Sequence, residues 1–153
     1  MEEKKIIYLA GPLFSKAERK YNEKLGKRLE ELGFTVLLPQ VRCAILDHDT
    51  QMDKDKKNEA IFKICRDDAL ASDIFIYVLD GRVPDEGAAV EVGIAYAQKV
   101  IFEIKPEKII IGLKTDWRIA LPISDVNQMI DQCLDKTFFK EKDLIKHLRR
   151  RFI

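Results

Sequence analysis

Short aliphatic runs, each cut off by glycine, proline or a polar turn and separated by helix-like stretches, constrain this chain more than any other feature. Residues 5–10 end at Gly11-Pro12, residues 34–38 stop at Pro39, and residues 73–79 give way to a turn over 80–84. Apolar runs of this length, without polar alternation, fit strands buried on both faces of a parallel sheet. The first helix is expected from about Ser15 to Leu32. Ser15 and Glu18 resemble a capping box, Tyr21, Leu25, Leu29 and Leu32 recur every three or four residues, and Gly33 follows as the C-cap. Further helices are expected over residues 59–71 and 86–98. Of the runs 100–104 and 109–113, only one need be a fourth strand, and the tail 125–153 is expected to hold one or two helices. Residues 40–58 lack a clear period and read as a functional loop or lid.

Strands alternating with helices imply βαβ units and a sheet covered on both sides. The expected fold is a single α/β domain over residues 1–153, three-layered and Rossmann-like (flavodoxin-like), with a mostly parallel sheet of four to five strands. Such sheets bind ligands beyond the carboxyl ends of their strands. Residues 11–15, 39–42 and 80–87 should therefore surround one crevice, which makes Gly11 and Asp80 candidates for substrate contact.

Composition narrows the function. The 27 basic and 26 acidic residues leave a net charge of +1, so no bulk field gathers nucleic acid or an anionic membrane. Arg149-Arg150-Arg151 reads as a solvated or subunit-facing tail. No apolar run approaches the roughly 20 residues that cross a bilayer. The start lacks a signal-peptide core, and a soluble cytoplasmic protein is expected. Cys43, Cys65, Cys133, His48 and His147 stand apart, without the spacings of a disulfide framework or a metal site, so no metal is expected. There is no Gly-x-x-x-x-Gly-Lys-Ser/Thr run, and no Gly-x-Gly-x-x-Gly after the first strand. Neither nucleoside triphosphatase nor dinucleotide chemistry is favoured, and no cofactor is expected. Trp117 reads as a packing residue.

The chemistry concentrates in residues 85–97. From Gly87 to Ala97 the one charged residue is Glu91. A helix apolar all round is a buried helix, which puts Glu91 in or beside a low-dielectric setting. Gly87, Ala88, Ala89 and Gly93 would let a ligand or another chain approach closely. Asp85 after Pro84 is a natural N-cap, at a helix end that favours polar or anionic groups. Two carboxylates in one crevice suit displacement at an anomeric carbon, one as nucleophile and the other handling a proton on the leaving group. Plainer roles compete: Asp85 as a cap alone, and Glu91 as an acid paired with Arg82 or Arg42.

These residues resemble the nucleoside 2-deoxyribosyltransferase family. Residues 7–14 (IYLAGPLF) are similar to its first strand and loop, and residues 73–78 (DIFIYV) to its central strand. Residues 84–93 (PDEGAAVEVG) resemble its Asp-x-Gly-Thr/Ala-x-x-Glu-hydrophobic-Gly signature, and residues 122–129 contain a late Asn-x-Met. The resemblance implies Glu91 as the nucleophile that attacks C1′ of a 2′-deoxynucleoside, and Asp85 as the acid assisting the departing base. It implies Tyr8 as the hydroxyl orienting Glu91, Phe14 as the aromatic flanking the base, and Asn127 as a group reaching a neighbouring subunit's sugar site. Gly87 and Ala88 fall in the signature as substrate contacts. The implied activity is transfer of 2-deoxyribose between nucleobases, with deoxynucleosides or deoxynucleotides and free bases as partners and a homo-oligomer as the working form. Ala88 stands where many members carry Thr, and Cys65 where a polar residue, often Asp, is common. Gln40 and Arg42 are base-reading candidates by location.

Two alternatives stay open. A 2′-deoxynucleoside 5′-monophosphate N-glycosidase of the same fold would pass the sugar to water and needs a phosphate site, for which Ser15, Arg19 and Arg82 are candidates. A non-catalytic nucleotide sensor could use the same fold without turnover.

Overall fold

Five strands form one sheet in the order β2-β1-β3-β4-β5, and every neighbouring pair is parallel. The computed structural model describes residues 4–48, 51–116 and 126–153. The strands are β1 (Ile6–Ala10), β2 (Thr35–Leu37), β3 (Ile74–Val78), β4 (Ile109–Leu113) and β5 (Lys136–Phe138). The longer helices are α1 (Lys16–Glu31), α4 (Lys54–Ala71), α5 (Glu86–Tyr96) and α7 (Glu141–Phe152). Short helices α2 (Pro39–Arg42), α3 (Ala44–His48) and α6 (Gln128–Asp131) complete the set.

The two-residue period of the strands sorts the core into two layers. Ile7 and Leu9 of β1 face one way with Ile74, Ile76 and Val78 of β3, packing on Leu25 and Leu29 of α1 and on Leu144 and Leu148 of α7. Tyr8, Ala10, Phe75 and Tyr77 face the other way, onto Ala69 of α4 and Ala88, Val92 and Ala95 of α5. Every residue of β3 and β4 is buried, which explains why both read as unbroken apolar runs.

The strand order is that of the flavodoxin-like doubly wound fold, and the sheet is wholly parallel. The strand order reverses between β1 and β3, and the gap beyond their carboxyl ends is where this architecture places ligands. Gly11 follows β1 at φ +150°, and a Cβ there would sit 2.8 Å from Val78 Cβ. Only glycine lets the loop after β1 press onto β3 and then turn into α1. The capping box is formed: Ser15 N–H donates to Glu18 Oε2 at 2.7 Å, and Glu18 N–H donates to Ser15 Oγ at 3.1 Å.

Several expectations are corrected. Residues 40–58 are mostly helical, holding α2, α3 and the start of α4, which Asp53 caps by accepting from Asp55 N–H at 3.0 Å. The first turns of α4 stand in solvent, so no apolar period marks them. The run 100–104 is no strand: α5 passes into a single π-helical turn, Ala97–Ile101, and Glu103 follows at φ +50°. β4 is Ile109–Leu113, and the tail contains a three-residue edge strand, β5, besides its two helices. Finally, α5 is not buried all round. Only Ala88, Val92 and Ala95 are buried, whereas Val90 is 60% exposed and Gly93 opens onto empty space.

A buried cation sits at the opposite end of the sheet from the crevice. Lys108, 1% exposed, precedes β4 and donates to Ala69 O (2.5 Å), Ser72 Oγ (3.1 Å) and Leu70 O (3.3 Å). It thereby satisfies the last carbonyls of α4. Burial pushes its pKa down to about 8.

Candidate active site

The crevice at the β1–β3 switch point has a volume of about 550 Å³. Gly11, Leu13 and Phe14 line it from the loop after β1, Arg19 from α1, and Pro39, Gln40 and Cys43 from the segment after β2. Ile61 and Cys65 of α4 form another wall, and Asp85, Gly87 and Glu91 a third. Five of the sequence candidates, Gly11, Phe14, Asp85, Gly87 and Glu91, thus meet in one cavity. Phe14 is 77% exposed at the mouth, free to meet a planar ring.

Glu91 is half-buried on α5, facing the crevice. Neither Arg82 nor Arg42 partners it: among the described residues no cation lies within 4.0 Å of its carboxylate, and Arg42 is engaged by Asp68. Its pKa is raised to about 7, chiefly by burial and further by the neighbouring Asp85 charge, while the nearby Tyr8 hydroxyl and Cys65 thiol act in the opposite direction. Tyr8 is fully buried beneath it. Its hydroxyl has no well-formed hydrogen bond among the described residues, although Glu91 and Cys65 stand close enough to influence its ionisation. Burial, then the Glu91 charge, push that ionisation up, so Tyr8 stays a neutral donor. Cys65 is likewise held as a neutral thiol, its pKa pushed up to about 12 chiefly by burial. The acid therefore faces two neutral donors and no cation, which leaves its charge available to an electrophile.

Asp85 caps α5, its Oδ2 accepting from Ala88 N–H at 2.8 Å. Tyr77 pins the same turn from below, donating from Oη to the Asp85 carbonyl oxygen at 2.5 Å. Burial raises the Asp85 pKa, the Ala88 amide lowers it, and Glu86 raises it. Oδ2 serves the helix, and Asp85 lines the crevice at the same time, so capping does not withdraw the residue from the cavity. Ala88 is buried and reaches the site through that amide.

Two candidates lie elsewhere. Asp80 accepts from Thr115 N–H (2.6 Å), Thr115 Oγ1 (2.5 Å) and Asp116 N–H (3.0 Å), tying the loop after β3 to the loop after β4. Asn127 caps α6, accepting from Met129 N–H at 2.9 Å, and is exposed outside the crevice of its own chain. The base-reading candidates are also occupied. The Gln40 amide accepts from Asn22 and donates to Arg19 O at 3.0 Å and to Glu23, while Arg42 grips Asp68 through two bonds of 2.7 and 3.0 Å. Trp117 and residues 122–125 lie outside the described residues.

Leu13 and Pro39 fall in the spans expected to line the crevice, whereas sequence reasoning missed Cys43 and Ile61 there, and Tyr77 as the brace of the Asp85 turn. The Tyr77 signal was legible in principle. It sits on the same strand face as Tyr8, because Ala10 pairs with Tyr77 across β1 and β3.

No curated protein sequence matches the chain. Among solved structures, a conserved protein from Enterococcus faecalis V583 superposes with a TM-score of 0.76 at 26% identity, covering 98% of this chain and 100% of that one. The 2-deoxyribosyltransferase of the psychrotolerant bacterium Bacillus psychrosaccharolyticus gives 0.67 at 23% identity, covering 91% of this chain and 89% of that one. The CMP N-glycosidase BcmB of Clostridium botulinum gives 0.54 at 22% identity, covering 94% and 97%. These last two share the fold. The sequence model for nucleoside 2-deoxyribosyltransferase matches residues 7–134, a span that takes in β1, the crevice loops and the Asp85–Glu91 helix. The chain belongs to the nucleoside 2-deoxyribosyltransferase family.

Proposed function

We propose that this protein transfers 2-deoxyribose between nucleobases, with Glu91 as nucleophile. A Glu91 oxygen bonds to C1′ of the deoxynucleoside as the N-glycosidic bond breaks. The bonding electrons go to the base nitrogen, and the departing base takes a proton with the help of Asp85. Tyr8 donates to the carboxylate and fixes its aim. A second base then attacks C1′ from the vacated side, which releases Glu91 and gives net retention. Phe14 stacks on the base at the mouth, while Gly11, Gly87 and Ala88 let the substrate approach the backbone. No cofactor takes part.

One observation carries this reading: a carboxylate lines the crevice beside two neutral donors and, among the described residues, with no cation within 4.0 Å of it. Unpaired acids in such a setting are costly to keep and mark functional positions. The test is incubation with a deoxynucleoside, with and without a second free base, followed by chromatography. Base exchange that vanishes in Glu91→Ala supports the transferase.

A second reading, a 2′-deoxynucleoside 5′-monophosphate N-glycosidase, draws support from Arg19, the cationic side chain in the crevice lining. Through Nη1 it donates to Leu13 O (2.9 Å) and Phe14 O (2.8 Å), so its charge stays beside the loop where a phosphate would sit. Free sugar released at the same rate with or without an acceptor base favours the hydrolase. Ligand binding without turnover under either condition favours a sensor.

The working form is a homo-oligomer. Val90 of α5, Ile101, Phe102 and Ile104 beyond the π-helical turn, and Met129 of α6 are exposed apolar side chains. Such a face suits a second copy that would carry Asn127 towards a neighbouring sugar site. Sizing in solution tests this, and a strict monomer contradicts it. Cys43, Cys65 and Cys133 form no disulfide, which fits a reducing cytoplasmic setting. No helix among the described residues is long and apolar enough to cross a membrane.

A further inference from the structure

The face of the sheet opposite the Glu91 helix carries a second concavity that the proposed reaction does not use. A groove of about 710 Å³ runs between α1 and α7, lined by Arg28, Glu31 and Leu32 on one wall and by Lys142, Ile145, Lys146, Arg149 and Arg150 on the other. A hollow of about 500 Å³ adjoins it, sharing Leu32 and Arg150 and adding Lys4, Lys5 and Arg151. Lys4 and Lys5 precede β1, and Gly33 and Phe34 precede β2, so this hollow lies at the strand-start end of the sheet. The catalytic crevice lies at the strand-finish end.

The helix dipole accounts for only part of this charge. Arg149, Arg150 and Arg151 occupy the last turn of α7, where cations are favoured. Lys142, in the first turn, is on the wrong side for that effect. Lys142 with Lys146, and Lys146 with Arg150, are like-charge pairs four residues apart, which weaken a helix. Among the described residues no carboxylate comes within 4.0 Å of Lys142, Lys146, Arg149 or Arg150, whereas Arg28 is paired with Glu141. The chain has 26 acids with which to neutralise this stripe. Among the described residues, Glu31 lines the groove without pairing with these four cations and Glu141 is taken by Arg28, so an external anion is the natural counter-charge.

We propose that the α1–α7 groove binds a small polyphosphate anion of the nucleoside triphosphate class. The guanidinium and ammonium groups of Lys146, Arg149 and Arg150 would take the phosphates, and the apolar Leu32 and Ile145 would meet the nucleoside. The scale favours a small ligand over nucleic acid. Each hollow has single-nucleotide size, Glu31 interrupts the positive wall, and a sequence pI of about 7.7 is well below that of nucleic-acid-binding domains.

Isothermal titration of the whole protein with deoxyadenosine triphosphate, with inorganic tripolyphosphate and with a single-stranded oligonucleotide tests the assignment. Saturable binding of the triphosphate is expected at low salt, with competition by tripolyphosphate. It should weaken at least tenfold in Lys146→Glu/Arg150→Glu and stay unchanged when the crevice of the inert Glu91→Gln protein is saturated with a deoxynucleoside. Both reversed positions are on the helix surface, circular dichroism checks the fold, and Lys142→Glu gives an independent second variant. Base exchange measured without triphosphate should be unaltered in the double variant. No saturable binding at millimolar triphosphate overturns the proposal, as does binding that the charge reversals leave intact. Binding displaced by the deoxynucleoside would place the ligand in the crevice, and binding by the oligonucleotide alone would make the partner a nucleic acid; either result also overturns it.

Discussion

Where β3 and β4 begin, Lys108 is buried with three oxygens around its ammonium group, and every contact it makes closes the end of α4. Beyond the finishing ends of β1 and β3, Glu91 is half-buried beside a hydroxyl and a thiol and, among the described residues, pairs with no cation. Burial disfavours both charges, lowering the Lys108 pKa to about 8 and raising that of Glu91 to about 7. The difference lies in the partners. A buried charge whose hydrogen-bonding capacity is spent within the fold stabilises that fold, whereas one left open is poised towards a ligand.

Removing Glu91 should break the comparison most visibly on the chemical side. Glu91→Gln keeps the shape and abolishes the nucleophile, and base exchange should fall about 10³-fold or more while substrate still binds. Steady-state kinetics together with a binding titration check this, and retention of more than a tenth of the wild-type rate would count against the role. At the other end, Lys108→Met should leave exchange intact in the folded fraction but orphan the α4 carbonyls. A loss of about 2–3 kcal/mol is expected, read by denaturant unfolding.

Stability against pH sharpens the contrast. The Glu91 carboxyl has a raised pKa in the fold, so the stability it contributes is present below its ordinary pKa and is lost as pH rises through about 7. Glu91→Gln, always neutral, should exceed the wild type by about 2 kcal/mol at pH 8, with the gap closing towards pH 4.5. A thermal melt series reads this. In the same window wild-type kcat/KM should rise with pH through about 7, because the nucleophile must be ionised. Tyr8→Phe makes the smallest change. It removes the buried hydroxyl beside Glu91 and should lower kcat about tenfold with little effect on KM.

Much of this was legible in the sequence, for reasons that particular residues make plain. β1, β3 and β4 are buried on both faces and so appear as unbroken apolar runs. The Ser15–Glu18 box marks the start of α1 because its bonds are local. The Asp85–Glu91 helix stood out because one charge among small apolar residues is rare. The missing parts depend on tertiary context. Lys136–Phe138 becomes a strand only by pairing with β4 at the sheet edge. The polar first turns of α4 are helical without an apolar face, since they project beyond the sheet. The fates of Asp80 and Gln40 are set by Thr115, Asn22 and Arg19, partners that no local spacing reveals. The outward side of α5 looked buried because it is apolar, yet Val90 stands 60% exposed in the single chain.

The most direct test of the central claim is mass spectrometry of the protein quenched during turnover with a deoxynucleoside, followed by proteolysis. The account predicts one deoxyribosyl group on the peptide that carries Glu91, lost on chasing with a free base and absent in Glu91→Gln. Sugar attached to another residue, or turnover without adduct when chemistry is slowed at the second step, would contradict it.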